Sequence, residues 1–142
     1  MMISTRGRYA LRVLLELARQ GDDSFVPLKD ITAKEQISQK YLEAIMSTLS
    51  KGGLVEGAHG KGGGYRLTRP PQDYRVGEVL RLTEGSLAPV ECVDCLSEPC
   101  LRAEACPTRP LWTRLDGLIS DYLDSVTLAA LLREQENKQA EL

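Results

Sequence analysis

Apolar residues recur at helical spacing from the start of the chain. In ISTRGRYALRVLLELARQG, Tyr9, Val13 and Leu17 fall at every fourth position, Ala10 and Leu14 lie beside them, and Gly21 follows. That pattern predicts an amphipathic helix of about four turns, N-capped by Ser4 or Thr5. DDSFVP reads as a loop, with Pro27 suited to a nearby helix start. LKDITAKEQ predicts a short second helix, Ile37 and Ser38 a break, and SQKYLEAIMSTLSKGG a third helix. Tyr41, Leu42, Ile45, Met46 and Leu49 share one side of it, and Gly52 and Gly53 end it. The period then changes. LVEGA and GYRLTR are strand-like runs joined by HGKGG, a hairpin that must pack on the helices because two strands alone are marginal.

Pro70 and Pro71 close this unit, and Val79, Leu80 and Leu82 predict a further helix from Val76 to Glu84. The next stretch is broken by Pro89, Pro99 and Pro107 and cannot be one regular element. Leu111, Leu115, Leu118, Tyr122 and Val126 then recur at intervals of three and four, with Ile119 and Leu123 alongside. A long helix at the end of a small domain has little of its own domain to bury such a stripe. A partner helix, and so a homodimer, is expected there. Thr127 can cap a last short helix, TLAALLREQ, and the polar tail ENKQAEL is expected to fray.

Helix, helix, helix and hairpin in roughly 70 residues match a winged helix-turn-helix, in which one helix enters a major groove and the hairpin reaches phosphates or the neighbouring groove. The fold class expected is mainly α, with a small β-hairpin wing and a long C-terminal dimerisation helix. Residues 1–75 are expected to form the DNA-binding domain. Residues 76–107 would be a connecting helix and cysteine-rich sensor loop, and residues 108–142 the dimerisation helix, short last helix and tail. The DNA contacts should come from Ser38, Gln39, Lys40, Tyr41, Glu43, Ser47 and Lys51 on the third helix and from His59, Lys61 and Arg66 on the wing.

Charge supports a polyanionic partner for the front half. The net charge of −2 over 142 residues conceals 12 Lys/Arg against 8 Asp/Glu in residues 1–75, and 6 against 12 in residues 76–142. No run of about 18 apolar residues offers a membrane span, and MMISTRGRYA has no signal-peptide architecture, so a cytoplasmic protein is expected. In that compartment thiols stay reduced, and clustered cysteines hold metal or do redox work more often than they form disulfides.

All four cysteines lie in ECVDCLSEPCLRAEACPTRPLW, at Cys92, Cys95, Cys100 and Cys106. Four thiolates can hold tetrahedral zinc or an iron–sulfur cluster, and the chemistry alone leaves both open. A thiol oxidoreductase using Cys92 and Cys95 is a third reading, but such pairs open a helix in a βαβ setting, unlike this proline-broken loop. HGKGGG lacks nucleotide-loop spacing and leads into a strand. His59 is the sole histidine, so no Ser–His or Cys–His pair is available elsewhere. No catalytic set emerges, and the chain reads as a regulator, not an enzyme.

ISTRGRYALRVLLELA, SQKYLEAIMSTLSKGGLV, GKGGGYRLTR and GEVLRLTEG, in that order, resemble the Rrf-two family of bacterial transcription regulators, with its IscR, NsrR and CymR types. The resemblance runs from about residue 2 to residue 132. It implies a homodimeric repressor or activator on a roughly palindromic double-stranded operator, with the long C-terminal helix crossing the dimer interface. It also implies a [2Fe–2S] or [4Fe–4S] cluster on three cysteines, which Cys92, Cys100 and Cys106 match, followed by a similar Leu111–Trp112 pair, and sensing of redox, iron–sulfur or nitric-oxide status. Glu43 matches a base-reading position of the family. Two departures bear on the fourth ligand. Arg109 stands where the IscR type has histidine, and Arg8 where the NsrR type supplies an aspartate from the other subunit. Arginine does not deprotonate to ligate, so Cys95 becomes the candidate. SLAPVE before the cysteines resembles the CymR type, which implies the alternative of a cluster-free regulator using zinc, free thiols or a protein partner in cysteine metabolism.

Overall fold

The computed structural model describes residues 3–21 and 24–141. Asp22 and Asp23 of the expected DDSFVP loop lie outside the described residues, as do Met1, Met2 and Leu142. The chain runs α1 (Thr5–Arg19), α2 (Leu28–Glu35), α3 (Gln39–Lys51), β1 (Val55–Ala58), β2 (Gly64–Leu67), α4 (Val76–Glu84), α5 (Arg109–Ser125) and α6 (Leu128–Ala140). Short 3-10 turns occupy Pro71–Asp73 and Glu91–Val93. The architecture is a mainly helical winged fold, as the residue pattern predicts.

Side-chain oxygens start the helices. Ser4 accepts from the Gly7 N–H, Ser38 from the Tyr41 N–H and Thr127 from the Ala130 N–H, at 3.3, 3.1 and 3.0 Å. The apolar stripes of α1 and α3 then meet. Ala10, Val13, Leu14 and Leu17 pack with Leu42, Ile45, Met46 and Leu49, joined by Ile31, Leu54, Tyr74, Val79 and Leu128. Burial of this surface is the main favourable contribution to the fold. Glu16 and Glu35 are buried on the α1–α2 contact. Glu16 pairs with Arg19 at 2.7 Å and Lys34 at 3.2 Å, and Arg12 Nε lies 2.7 Å from Glu35 Oε2 in an ion pair without hydrogen-bond alignment. Gln36 ends α2 in the left-handed region at φ 55°, and only Ile37 and Ser38 separate it from α3.

The hairpin is antiparallel, pairing Val55 with Leu67, Glu56 with Arg66, Gly57 with Tyr65 and Ala58 with Gly64. Val26 bridges to the other edge of β2. It donates to the Tyr65 carbonyl at 2.8 Å and accepts from the Tyr65 N–H at 3.0 Å. A single-residue bridge has no periodicity, so the apolar pattern did not reveal it. Gly64, at φ +143°, passes so close to Val26 that a Cβ would be driven into the Val26 carbonyl.

Two expectations need correction. The tail does not fray over its length, because α6 is helical to Ala140. Thr127 caps it, no glycine or proline interrupts it, and the Arg19 guanidinium grips Gln135 Oε1 at 2.6 and 3.1 Å. Val126 is not part of the α5 stripe. It lies beyond the helix in extended conformation, its carbonyl accepts from the Val76 N–H at 2.9 Å, and its side chain packs on Val76, Leu80 and Leu87. The backbone has left the helical repeat by that point, so spacing no longer reports its direction.

Candidate DNA interface and cysteine loop

With Leu42, Ile45, Met46 and Leu49 turned inward, α3 leaves Gln39, Lys40, Glu43, Ser47, Ser50 and Lys51 on its exposed side. The helix and the hairpin flank a groove of about 690 Å³. Gln39, Glu43 and Ser50 line one wall, Gly57 to Gly60 and Tyr65 the other, and Leu28 and Lys29 the end. Gln39 donates from its side-chain amide to Glu43 Oε1 at 3.1 Å, so these two present donor and acceptor atoms as one unit. His59 and Lys61 are exposed on the hairpin. The arrangement offers amide, carboxylate and hydroxyl groups for base edges, flanked by ammonium groups for phosphates.

Three predicted contacts have other partners in the fold. Ser38 has its hydroxyl in the α3 cap. Tyr41 is half-buried, edge-on to Tyr9 of α1 with ring centroids 5.9 Å apart. Arg66 pairs with Glu56 across the hairpin at 2.6 Å and lies 4.4 Å from the centre of the Phe25 ring. It lines a hollow with Leu17, Ala18 and Arg69, and it is not among the residues that form the α3–hairpin groove. Ser50 and Lys29 were missed. Ser50 lies seven residues beyond Glu43 and could have been found by following that face of the helix. Lys29 enters only because the Val26–Tyr65 bridge brings the start of α2 beside the hairpin.

α5 differs from the other long helices in having no buried residue. Leu111, Leu115, Leu118 and Tyr122 are 58, 36, 55 and 67% exposed along one side. Its far end is tied to α4. Arg81 of α4 donates two hydrogen bonds to Asp124, at 2.7 and 3.0 Å, and Gly77 leaves no room for a Cβ beneath that carboxylate. The guanidinium lowers the Asp124 pKa, chiefly through these hydrogen bonds. Arg75 pairs with Thr127 in an isolated β-bridge just beyond.

The cysteine loop joins α4 to the free end of α5. Its backbone hydrogen bonds are short-range turns, including Asp94 to Glu91, Ala103 to Cys100 and Ala105 to Arg102. All four thiols are free. Cys92 and Cys106 are half-buried, Cys95 and Cys100 exposed. The Cys106 thiol is pulled below its ordinary range, first by the Thr108 hydroxyl 3.4 Å from its sulfur and the Thr108 backbone N–H, then by the Arg109 backbone and charge. Arg8 folds onto its own helix, with a guanidinium nitrogen 3.1 Å from the Thr5 hydroxyl. The donors suit a thiolate-bound metal or cluster in type and number. Among the described residues, however, no three His, Cys, Asp or Glu side chains are gathered to hold an ion. Ligation therefore requires the loop to draw its sulfurs together, which its sparse long-range bonding permits.

The family model named Rrf2, described as an iron-dependent transcriptional regulator, matches residues 3–134. The HTH-type transcriptional regulator IscR of Erwinia tasmaniensis is 38% identical over 136 residues, covering 96% of this chain and 81% of that one. Among solved structures, CymR of B. subtilis, titled the global cysteine regulator, superposes with a TM-score of 0.77 at 36% identity, covering 92% of this chain and 95% of that one. T. potens IscR superposes with a TM-score of 0.78 at 33% identity, covering 98 and 91%. No helix among the described residues is long and apolar enough to cross a membrane.

Proposed function

The chain belongs to the Rrf2 family of transcriptional regulators, and from that premise we propose that it is a homodimeric, cytoplasmic DNA-binding sensor whose cysteine loop carries an iron–sulfur cluster. The observation that carries this reading is the placement of all four free thiols in the one segment that links the α3–hairpin unit to the uncovered helix α5. Each half of a two-fold dimer would present one α3 to one half-site, with Lys40, Lys51 and Lys61 on phosphates and Gln39, Glu43 and Ser47 toward base edges. Cys92, Cys100 and Cys106 would hold the cluster, with Cys95 as the fourth donor in place of the histidine that Arg109 replaces. When bound, the cluster would supply a centre reactive toward oxygen species and nitric oxide. The protein's own contribution is mechanical. The Arg81–Asp124 pair fixes one end of α5 to α4, so a change in the loop acts on the other end and on the spacing of the two reading heads.

A second reading rests on the uncollected thiols and on the likeness to the B. subtilis cysteine regulator. In it the loop works without a cluster, through zinc, free thiols or a protein partner. Anaerobic purification with an absorption spectrum and iron, sulfide and zinc analysis separates the two. The leading reading expects iron and sulfide in the wild type and their loss in Cys92→Ala, Cys100→Ala and Cys106→Ala. Cys95→Ala should retain a cluster that decays faster in air. Wild-type protein without iron under anaerobic conditions overturns the cluster and leaves the second reading.

A further inference from the structure

We propose that Tyr74 is the positioning residue of the wing, fixing both strands of the hairpin to the α5–α6 junction; this rests on the reading of the hairpin as a DNA-contacting wing. Tyr74 is fully buried. Its hydroxyl donates to the Leu54 carbonyl at 2.6 Å and accepts from the Thr68 N–H at 3.0 Å. Leu54 and Thr68 lie one step beyond Val55 and Leu67, the last pair of the ladder. The phenol therefore stands between the two strands at the root, where a direct backbone hydrogen bond would otherwise close them. The Thr68 hydroxyl, bonded to the Gly53 carbonyl at 2.8 Å, reinforces the same point.

The other side of the same residue faces the dimer arm. The Tyr74 carbonyl accepts from the Leu128 N–H at 3.2 Å, beside the Arg75–Thr127 bridge and the Val76–Val126 hydrogen bond. One residue thus bonds through its side chain to the wing root and through its backbone to the segment that anchors α5. A ring alone would fill the core as well, and phenylalanine supplies one. The buried hydroxyl, with donor and acceptor roles both filled, has a separate task. Strands of four residues do not hold a fixed pose by their own ladder; the Val26–Tyr65 bridge fastens one edge of β2, and the Tyr74 hydroxyl fastens both strands at the root.

The test uses the full chain and a random-sequence DNA duplex of about 30 base pairs, with affinity measured across a salt series. Lys61→Ala removes a wing-tip cation and should lower the slope of log affinity against log salt by about one. Tyr74→Phe should weaken binding by about 3- to 10-fold and lower the slope by a similar amount, although it removes no charge. Combined with Lys61→Ala it should add less than about twofold, because both changes remove the same contact. In the unliganded protein, amide exchange should quicken at Glu56, Arg66 and Thr68 and stay unchanged in α1 and α3. Wild-type affinity and slope in Tyr74→Phe, a double variant that loses the product of both single effects, or exchange that quickens uniformly each overturns the proposal. Lys61→Ala without effect on the wild type overturns the wing reading itself, and this proposal with it.

Discussion

In the unit built from α1, α2, α3 and the hairpin, each apolar stripe faces another. Leu14 and Val13 of α1 and Leu42, Ile45 and Leu49 of α3 are fully enclosed by one another. In the arm that follows α4, a stripe of the same spacing faces outward, with Leu118 and Tyr122 more than half exposed and Leu101 wholly so. The two regions use similar residues, and they differ in whether another element of the chain covers them. The first region is enclosed, with Tyr74, Val79 and Leu128 closing the same core. The second leaves its apolar area uncovered, and it is also where the thiols lie. The proposed sensor would benefit from that division, since a part that responds must be weakly determined by the fold.

The largest effects should separate the regions directly. Leu42→Ala empties a site in the enclosed core and should cost about 2–5 kcal/mol of unfolding free energy in a denaturant titration. Leu115→Asp and Leu118→Asp should leave the unfolding of the α1–α3 unit close to wild type but abolish the dimer, seen by sedimentation at concentrations where the wild type associates. An intact dimer in both aspartate variants would remove α5 as the seam and with it the proposed contrast.

A smaller effect sharpens the comparison inside the first region. Lys40→Ala and Lys51→Ala should weaken binding to all duplexes alike. Glu43→Ala should lower discrimination between a selected site and random sequence, by about 1–3 kcal/mol at the base pair it reads. Competition binding with both duplexes measures each, and equal losses on both for Glu43→Ala would count against base reading.

The smallest effect concerns the joint between the regions. The Arg81 guanidinium holds the Asp124 carboxyl below the usual aspartate range. A depressed pKa in the folded state contributes stability that is complete above the unfolded pKa and is lost as pH falls through the folded one. Asp124→Asn should therefore lower the melting temperature near neutral pH and converge on the wild type in acid below the ordinary aspartate range. Both partners are nearly half exposed and screened by solvent, so the contribution is about 0.2–1 kcal/mol. A difference that persists unchanged into acid would mean that packing against Gly77, not the ion pair, holds α5.

Much of the fold was legible because its signals are local. Tyr9, Val13 and Leu17 announce one helix face, Leu42, Ile45 and Leu49 another, and the glycines of HGKGG a reversal. The candidate site was legible in part. Lys40, Glu43, Ser47, Lys51, His59 and Lys61 stand on exposed surface as expected. Ser38, Tyr41 and Arg66 look equally suited in one dimension, yet they are committed to a cap, a ring contact and a cross-strand pair. The cap is local, to the Tyr41 N–H, but the other two depend on Tyr9, Phe25 and Glu56, which lie far along the chain or on another element. The reach of α6 was underestimated for the same reason, since Gln135 meets Arg19 only after folding.

Spacing of apolar residues, turn glycines and the clustering of four cysteines determined by themselves the order of elements, the helix faces and the place of the cysteine loop. These are properties of neighbouring residues, and backbone geometry converts them into structure without knowledge of the rest. Which polar side chains remain free, where Val126 points, and how Tyr74 joins the hairpin to the α5–α6 junction were decided only in three dimensions. A hydrogen bond or ion pair depends on atoms meeting within about 3 Å, and residues as distant in sequence as Tyr74 and Leu128 reach that separation only when the core has closed.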